Sequence, residues 1–176
     1  MSKIIWFTGL SGAGKTTLAK ILNKKLIKLN YKVQTIDGDN FRKKNRNSNN
    51  FSKKNIIENN LSIINYLKKT QKKYDFILVS VISPLIKTRN FARVQFGKNY
   101  YEVYVKCKIK TLELRDTKKL YIKAKKGLIK NLIGYNSKIK YEVSRYKKIN
   151  INTDVLSKTE SIKTILKNVF DKKKSF

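Results

Sequence analysis

The run Gly9-Leu10-Ser11-Gly12-Ala13-Gly14-Lys15-Thr16 constrains this chain more than any other feature of its sequence. It completes the pattern G-x-x-x-x-G-K-[ST], and it stands where that pattern carries meaning. The apolar stretch from Lys3 to Thr8, which reads as a buried strand, runs directly into it. A helical period carried by Leu18, Ile21, Leu22, Leu26 and Leu29 follows it. Glycines let successive backbone N–H groups turn inward around phosphate oxygens, and the helix N-terminus adds its positive end. In this pattern the lysine, Lys15, reaches the β- and γ-phosphates and the Thr16 hydroxyl coordinates magnesium. Three of the chain's seven glycines lie here. A turn that merely joined a strand to a helix would need neither the lysine nor the hydroxyl, so the expected ligand is a nucleoside triphosphate.

The rest of the chain alternates strands with helices. Lys32 to Ile36, Phe76 to Ile82, Tyr101 to Val105 and Ile149 to Asn152 read as strands. Ser52 caps a predicted helix with Ile56, Ile57, Leu61, Ile64 and Leu67 inside, and Ser157 with Glu160 has capping-box spacing at the start of another. Residues 43–50 read as polar and irregular, and 109–146 as a lysine-rich, helical and mobile section. Neither repeats nor linkers divide the 176 residues. The pattern predicts an α/β fold with a parallel sheet.

Ligand sites in such folds open at the carboxyl ends of the strands. Asp37-Gly38-Asp39-Asn40 follows the second predicted strand and holds two of only 11 acidic residues. A carboxylate there can orient a hydroxyl, accept its proton or hold a metal, although Asp-Gly is also a common turn. The guanine-recognition signal Asn-Lys-x-Asp of GTPases is absent.

Charge requires more care. There are 42 Lys and Arg, giving a net charge of +31, and only six of these are arginines. Such a balance ordinarily suggests nucleic acid. The lysines are spread along the whole chain among abundant Asn and Ile, which favours compositional drift on solvated faces, so nucleic acid is not the expected partner. The single Cys107 cannot form an internal disulfide, and without histidine a conventional zinc site is excluded. No apolar run is long enough to cross a bilayer, and the first one is too short for a signal peptide, so a cytoplasmic protein with no membrane partner is expected.

Taken in order, the motifs resemble the adenylylsulfate kinase (APS kinase) family. Its GLSGAGK[ST]T is present as Gly9 to Thr17, and its D-G-D-N-x-R as Asp37 to Arg42. Phe51-Ser52 with Glu58-Asn59, Ile82-Ser83-Pro84 with Arg89, and Arg115-Asp116-Thr117-Lys118-Lys119-Leu120-Tyr121 are similar to later family motifs. The resemblance covers roughly residues 3–155. It implies a P-loop NTPase, three-layer αβα fold with a mostly parallel five-stranded sheet, one domain over 1–176 and a helical lid at about 109–146.

The resemblance also implies a chemistry: ATP and Mg²⁺ as cofactors, with the γ-phosphoryl passing to the 3′-hydroxyl of adenylyl sulfate for sulfate assimilation. Gly9, Leu10, Ser11, Gly12, Ala13, Gly14, Lys15, Thr16 and Thr17 would hold ATP, and Thr16 and Asp39 the metal. Lys15, Asp39 and Ser83 are the catalytic candidates, Ser83 because the family's serine has been assigned as a transient phosphoacceptor. Direct in-line transfer does not need that step. Arg42, Phe51, Asn59, Ile82, Ser83, Lys118 and Leu120 would line the acceptor pocket, with Phe51 on the base. A homodimer is compatible with relatives that pair.

Four positions depart from the family pattern. Ile56 replaces an arginine, Leu85-Ile86 replaces Tyr-Arg, and Leu132 replaces a lid phenylalanine. Drift is the favoured account; a changed acceptor is the other. The alternatives are therefore the same chemistry on another nucleotide, such as a cytidine diphosphoramidate, or a basic nucleic-acid-binding relative with weakened catalysis.

Overall fold

The structure, a computed structural model, describes residues 1–44, 52–146 and 148–170. Strands β1 (Lys3–Thr8), β2 (Val33–Asp37), β3 (Phe76–Ser80), β4 (Tyr100–Lys106) and β5 (Ile149–Asn152) form one sheet in the order β2-β3-β1-β4-β5, every pair parallel. Helices α1 (Lys15–Lys28), α2 (Gly38–Lys44), α3 (Lys53–Thr70), α4 (Ile86–Phe96), α5 (Ile109–Arg115), α6 (Leu120–Lys125) and α7 (Lys158–Phe170) connect and follow them. The expected α/β fold with its parallel five-stranded sheet is observed.

Alternation along β1 divides the core in two, because successive side chains of a strand point to opposite faces. Ile5 and Phe7 meet Leu18 and Leu22 of α1 and Ile162 and Ile165 of α7. Ile4 and Trp6 meet Ile63, Ile64 and Leu67 of α3 and Ala92 and Phe96 of α4. The result is helices on both faces of a sheet whose central strands, β1 and β3, are apolar along nearly their whole length.

Both predicted caps form. Ser52 Oγ accepts from the Asn55 N–H at 3.2 Å. Ser157 and Glu160 close a reciprocal box, with Glu160 Oε2 accepting from Ser157 N at 2.8 Å and Ser157 Oγ from Glu160 N at 3.2 Å.

Several expectations need correction. Strand β2 runs one residue later than expected, through Asp37, and β3 stops at Ser80, so Val81 and Ile82 belong to a loop. Residues 38–44 are a short helix rather than a loop, because Asp37 Oδ1 accepts from the N–H groups of Asp39 and Asn40 at 3.1 and 3.3 Å and caps its first turn. The remaining positions of the predicted irregular stretch, 45–50, lie outside the described residues, as does Phe51. Helix α4 is not expected from the sequence, since its buried face is Thr88, Arg89, Ala92 and Phe96, with a charge where periodicity looks for an apolar residue.

The section 109–146 is helical only in α5 and α6; from 126 to 146 it runs in turns. Gly127 and Gly134 take positive φ, 73° and 79°. Asn136 accepts from the Leu132 N–H at 2.9 Å and donates to the Ile129 carbonyl at 2.5 Å. Such side-chain bonds satisfy the backbone locally and compete with a helix.

Candidate active site

The loop from Gly9 to Gly14 leaves the carboxyl end of β1 and wraps the start of α1. Gly9, with φ 139°, lies so close to β4 that a Cβ would strike the Val105 carbonyl oxygen. Gly14, with φ 101°, opens α1 without a side-chain cap, which leaves the first N–H groups of the helix facing the cleft. Lys15 is buried, 8% exposed, and donates to the Leu10 carbonyl at 2.7 Å. Burial lowers its ammonium to about 8; the Asp39 and Asp37 carboxylates oppose that fall and Lys118 adds to it.

Two carboxylates face the loop. Asp37, at the end of β2, accepts from the Thr16 hydroxyl at 3.0 Å through Oδ2 while Oδ1 caps α2. Asp39, two residues on in the first turn of α2, pairs with Lys118 Nζ at 2.7 Å. Burial pushes the Asp39 carboxyl up, but the hydrogen bond and charge of Lys118, then the charges of Arg42 and Lys15, outweigh it and hold it below the usual carboxylate range. Arg42 is half-buried, and burial depresses its guanidinium against the pull of Asp39.

These groups line a single cleft of about 1450 Å³. Pockets for one small ligand are usually smaller, on the order of 300–1,000 Å³, so there is room for two nucleotides. Ser11, Gly12, Ala13, Gly14, Lys15, Thr16, Thr17, Asp39, Arg42, Ile82, Lys118 and Leu120 line it, which brings most of the predicted site residues together. Gly9 and Leu10 shape the loop from behind and are not on its lining. Ser83 is on a small adjoining pocket with Asp39, Arg42, Ile56 and Asn60. Asn59 is buried on α3, and its side-chain amide has no hydrogen-bond partner among the described residues.

The far wall is made by the 109–146 section. Asp116 accepts from the N–H groups of Leu120, Tyr121 and Ile122 at 2.7, 3.1 and 2.9 Å, which anchors α6 and sets Lys118 and Leu120 toward the cleft. The Tyr121 hydroxyl donates to the Ser11 carbonyl at 2.9 Å and ties α6 to the phosphate loop. Gly134 packs on the side chain of Leu10, leaving no space for a Cβ.

Two of the four departing positions come together. Ile56 and Leu85, both buried, pack with Ile133 in one apolar cluster, and Leu10, Ile57, Ile82 and Ile139 close around it. Leu132 joins the main core, and Ile86 begins α4.

Among the cleft residues missing from the sequence-based candidates, Asp37, Arg115 and Thr153 are tied together or to the phosphate loop and α1 by hydrogen bonds. Asp37 carries a signal, the acidic pair two apart, but only its hydrogen bond to Thr16 shows how it is used. Arg115, quoted above within a motif, donates to the Thr153 hydroxyl and carbonyl at 3.1 and 2.6 Å on the rim. Thr153, which follows β5, is marked in the sequence only by the strand before it, and its hydroxyl donates to the Ala13 carbonyl at 3.2 Å.

Comparison with known proteins converges on one family. The family described as Adenylylsulphate kinase matches residues 1–152. The chain is 36% identical over 150 residues to an adenylyl-sulfate kinase of Clostridium acetobutylicum, covering 85% of this chain and 74% of that protein. It is 38% identical over 154 residues to a probable adenylyl-sulfate kinase of Archaeoglobus fulgidus, covering 88% and 97%. Among solved structures, Mycobacterium tuberculosis APS kinase CysC in complex with AMPPNP and APS matches with a TM-score of 0.84 at 27% identity, covering 97% of this chain and 98% of that one. A hexameric APS kinase from Thiobacillus denitrificans matches with a TM-score of 0.64 at 25% identity, covering 93% of this chain and 27% of that one.

Proposed function

The chain belongs to the adenylylsulphate kinase family, and we propose that it transfers the γ-phosphoryl group of ATP to the 3′-hydroxyl of adenylyl sulfate. The observation that carries this reading is one cleft that joins a complete phosphate loop to Asp39, Arg42 and Ile82 and is large enough for two nucleotides.

Gly9 to Thr17 hold the ATP phosphates through inward N–H groups, and Lys15 turns from the Leu10 carbonyl to the β- and γ-oxygens. The oxygens of Thr16, Asp37 and Asp39 are hard donors of the kind Mg²⁺ takes. Among the described residues no three Asp, Glu, Cys or His converge on a metal cage, which suits an ion that completes its shell with phosphate and water. Magnesium, when bound there, supplies charge neutralisation at the transferred phosphoryl.

Asp39, held ionised, accepts a hydrogen bond from the acceptor hydroxyl and aims its oxygen at phosphorus. Arg42 and Lys118 hold the acceptor's anionic groups and Leu120 and Ile82 pack against it, while Asn59, which lines neither pocket, is assigned to the acceptor side by its place in the motif alone. Phe51 is assigned to the acceptor's base by its place in the motif. Ser83 is 1% exposed and its hydroxyl lies 3.4 Å from that of Thr88. A side chain so enclosed favours direct transfer over a phosphoserine intermediate, with the 83 position acting through its turn. The 109–146 section acts as the lid that excludes water, so that ATP is not hydrolysed wastefully.

The chain contains no helix that is long and apolar enough to cross a membrane among its described residues, and a cytoplasmic enzyme is the reading that its chemistry suits. Lys15→Ala tests the enzyme reading against that of a basic binding module. It is expected to abolish ADP release with adenylyl sulfate and Mg-ATP, whereas a nucleic-acid-binding protein would keep its polynucleotide affinity and show no turnover before or after the change.

A further inference from the structure

Arg89 is fully buried beneath the loop that follows β3. Its Nε lies 3.3 Å from Glu102 Oε1 on β4, and the other carboxylate oxygen accepts from Arg93 at 3.1 Å. A buried ion pair is poor evidence of stabilisation, since desolvation offsets the attraction. The rest of the guanidinium shows what the charge is used for. Nη1 donates to the Ser83 carbonyl and Nη2 to the Glu142 carbonyl.

The first target belongs to the proposed acceptor loop and the second to the proposed lid section. Ser83 is one of three non-glycine residues with positive φ among the described residues, at 43°. Its turn costs energy unless neighbours hold it. The Thr8 hydroxyl steadies the same loop, lying 2.6 Å from the Ile82 carbonyl and 2.9 Å from the Tyr141 hydroxyl. The strap at Tyr141–Glu142, where the lid section ends, closes over the loop from the other side. Glu142 Oε2 accepts from the Ile86 N–H at 2.6 Å, and the Glu142 N–H donates to the Pro84 carbonyl at 2.9 Å. The Tyr141 ring lies 5.2 Å from the guanidinium and stacks on Tyr104 at 5.3 Å.

We propose that Arg89 is a positioning residue which fixes, with one guanidinium, both the Ser83 turn of the acceptor loop and the C-terminal anchor of the lid. The inference rests on the adenylyl sulfate kinase reading for its acceptor. A planar fork with fixed N–H donors can bond two carbonyls from one end while its charge stays against the Glu102 carboxylate; an ammonium on a flexible stem does not. Arg89 makes no bond to the phosphate loop, which meets this turn only through the Gly9 N–H donating to the Ile82 carbonyl at 3.3 Å, so ATP binding is expected to change less than acceptor binding.

The test uses the full chain with two principal variants and Arg89→Lys as a third. Arg89→Met combined with Glu102→Gln removes the fork without leaving a lone buried carboxylate, and Tyr141→Phe removes one hydroxyl from the strap while keeping Arg89. The double variant is expected to raise the KM for adenylyl sulfate about tenfold or more while leaving the KM for ATP within about threefold, as small displacements of a binding group do. Trypsin is expected to cut faster after Lys138 and Lys140. Tyr141→Phe should move both readouts the same way by a smaller factor, and Arg89→Lys should not restore the acceptor KM. Equal changes in both KM values, or no change in acceptor KM and cleavage, would overturn the proposal. If the double variant does not fold, Tyr141→Phe decides alone. If the wild-type protein does not turn over adenylyl sulfate, the functional reading fails, and the cleavage comparison still decides the anchor.

Discussion

Lys118 Nζ stands 2.7 Å from Asp39 Oδ2, spanning the cleft between the section after α5 and the first turn of α2. Both side chains are more than half exposed, 55% and 57%, so the pair contributes under about 1 kcal/mol to stability. Its importance is to charge: Asp39 is held ionised, and a cation stands where the proposed substrate anions would sit. Asp39→Asn is expected to lower kcat by about 10²–10⁴, the range for a positioned acid–base group, with the melting temperature almost unchanged. Lys118→Ala should also leave melting unchanged and raise the acceptor KM. Parallel calorimetry and steady-state kinetics check both.

Burial makes Lys15 a costly cation. Its ammonium falls from the ordinary 10.5 to about 8, so its charge works against folding at neutral pH. The cost is complete below pH 8 and fades as pH rises toward 10.5, where the unfolded chain also loses the proton. Lys15→Met should therefore abolish turnover yet stabilise the protein by about 1–3 kcal/mol at pH 7. Denaturant titrations at pH 7 and pH 10 check the sign, and the gain should be smaller at the higher pH. In the wild type, kcat/KM for ATP should fall on an alkaline limb near pH 8.

Ile56 offers a contrast between composition and packing. It is 2% exposed and packs with Leu85 and Ile133, so an isoleucine in place of the family's arginine is matched by apolar partners from the loop after β3 and from the 126–146 section. Restoring the family residue with Ile56→Arg should not restore function. It would bury an unpaired charge and cost about 3 kcal/mol or more, read as a lower denaturation midpoint. Unchanged stability with improved acceptor affinity would refute the compensated-cluster account.

Ser83 discriminates between routes of phosphoryl transfer. With φ 43°, the position accepts glycine without strain. Ser83→Gly is expected to retain turnover within about tenfold, because direct transfer needs the turn and not the hydroxyl. A loss beyond about 10³, together with phosphate trapped on the wild-type serine, would establish the covalent route instead.

What the sequence made legible was local. The phosphate loop lies within one strand-to-helix junction, so spacing alone identified its residues, and Ser52 and Ser157 announced their caps in the same way. What stayed hidden depended on distant partners. Helix α4 was obscured because Arg89 sits where an apolar residue was expected and finds Glu102 on another strand. The lid section looked helical from its lysines and leucines, while Asn136 and two glycines in left-handed conformations turn it into loops. Asp37 was visible as an acidic residue beside Asp39, but its bond to Thr16 exists only once β1 and β2 lie in one sheet.

The central claim is the identity of the acceptor, and a coupled ADP-release assay with Mg-ATP tests it most directly. Adenylyl sulfate should be compared with a panel of other nucleotides, including a cytidine diphosphoramidate, and the new phosphate mapped on the product. The account predicts a kcat/KM for adenylyl sulfate at least about tenfold above every other acceptor, a gap of about 1.4 kcal/mol in transition-state binding, with phosphate on the 3′-oxygen. Faster turnover of another nucleotide, or binding of ATP with no turnover of any acceptor, would contradict it.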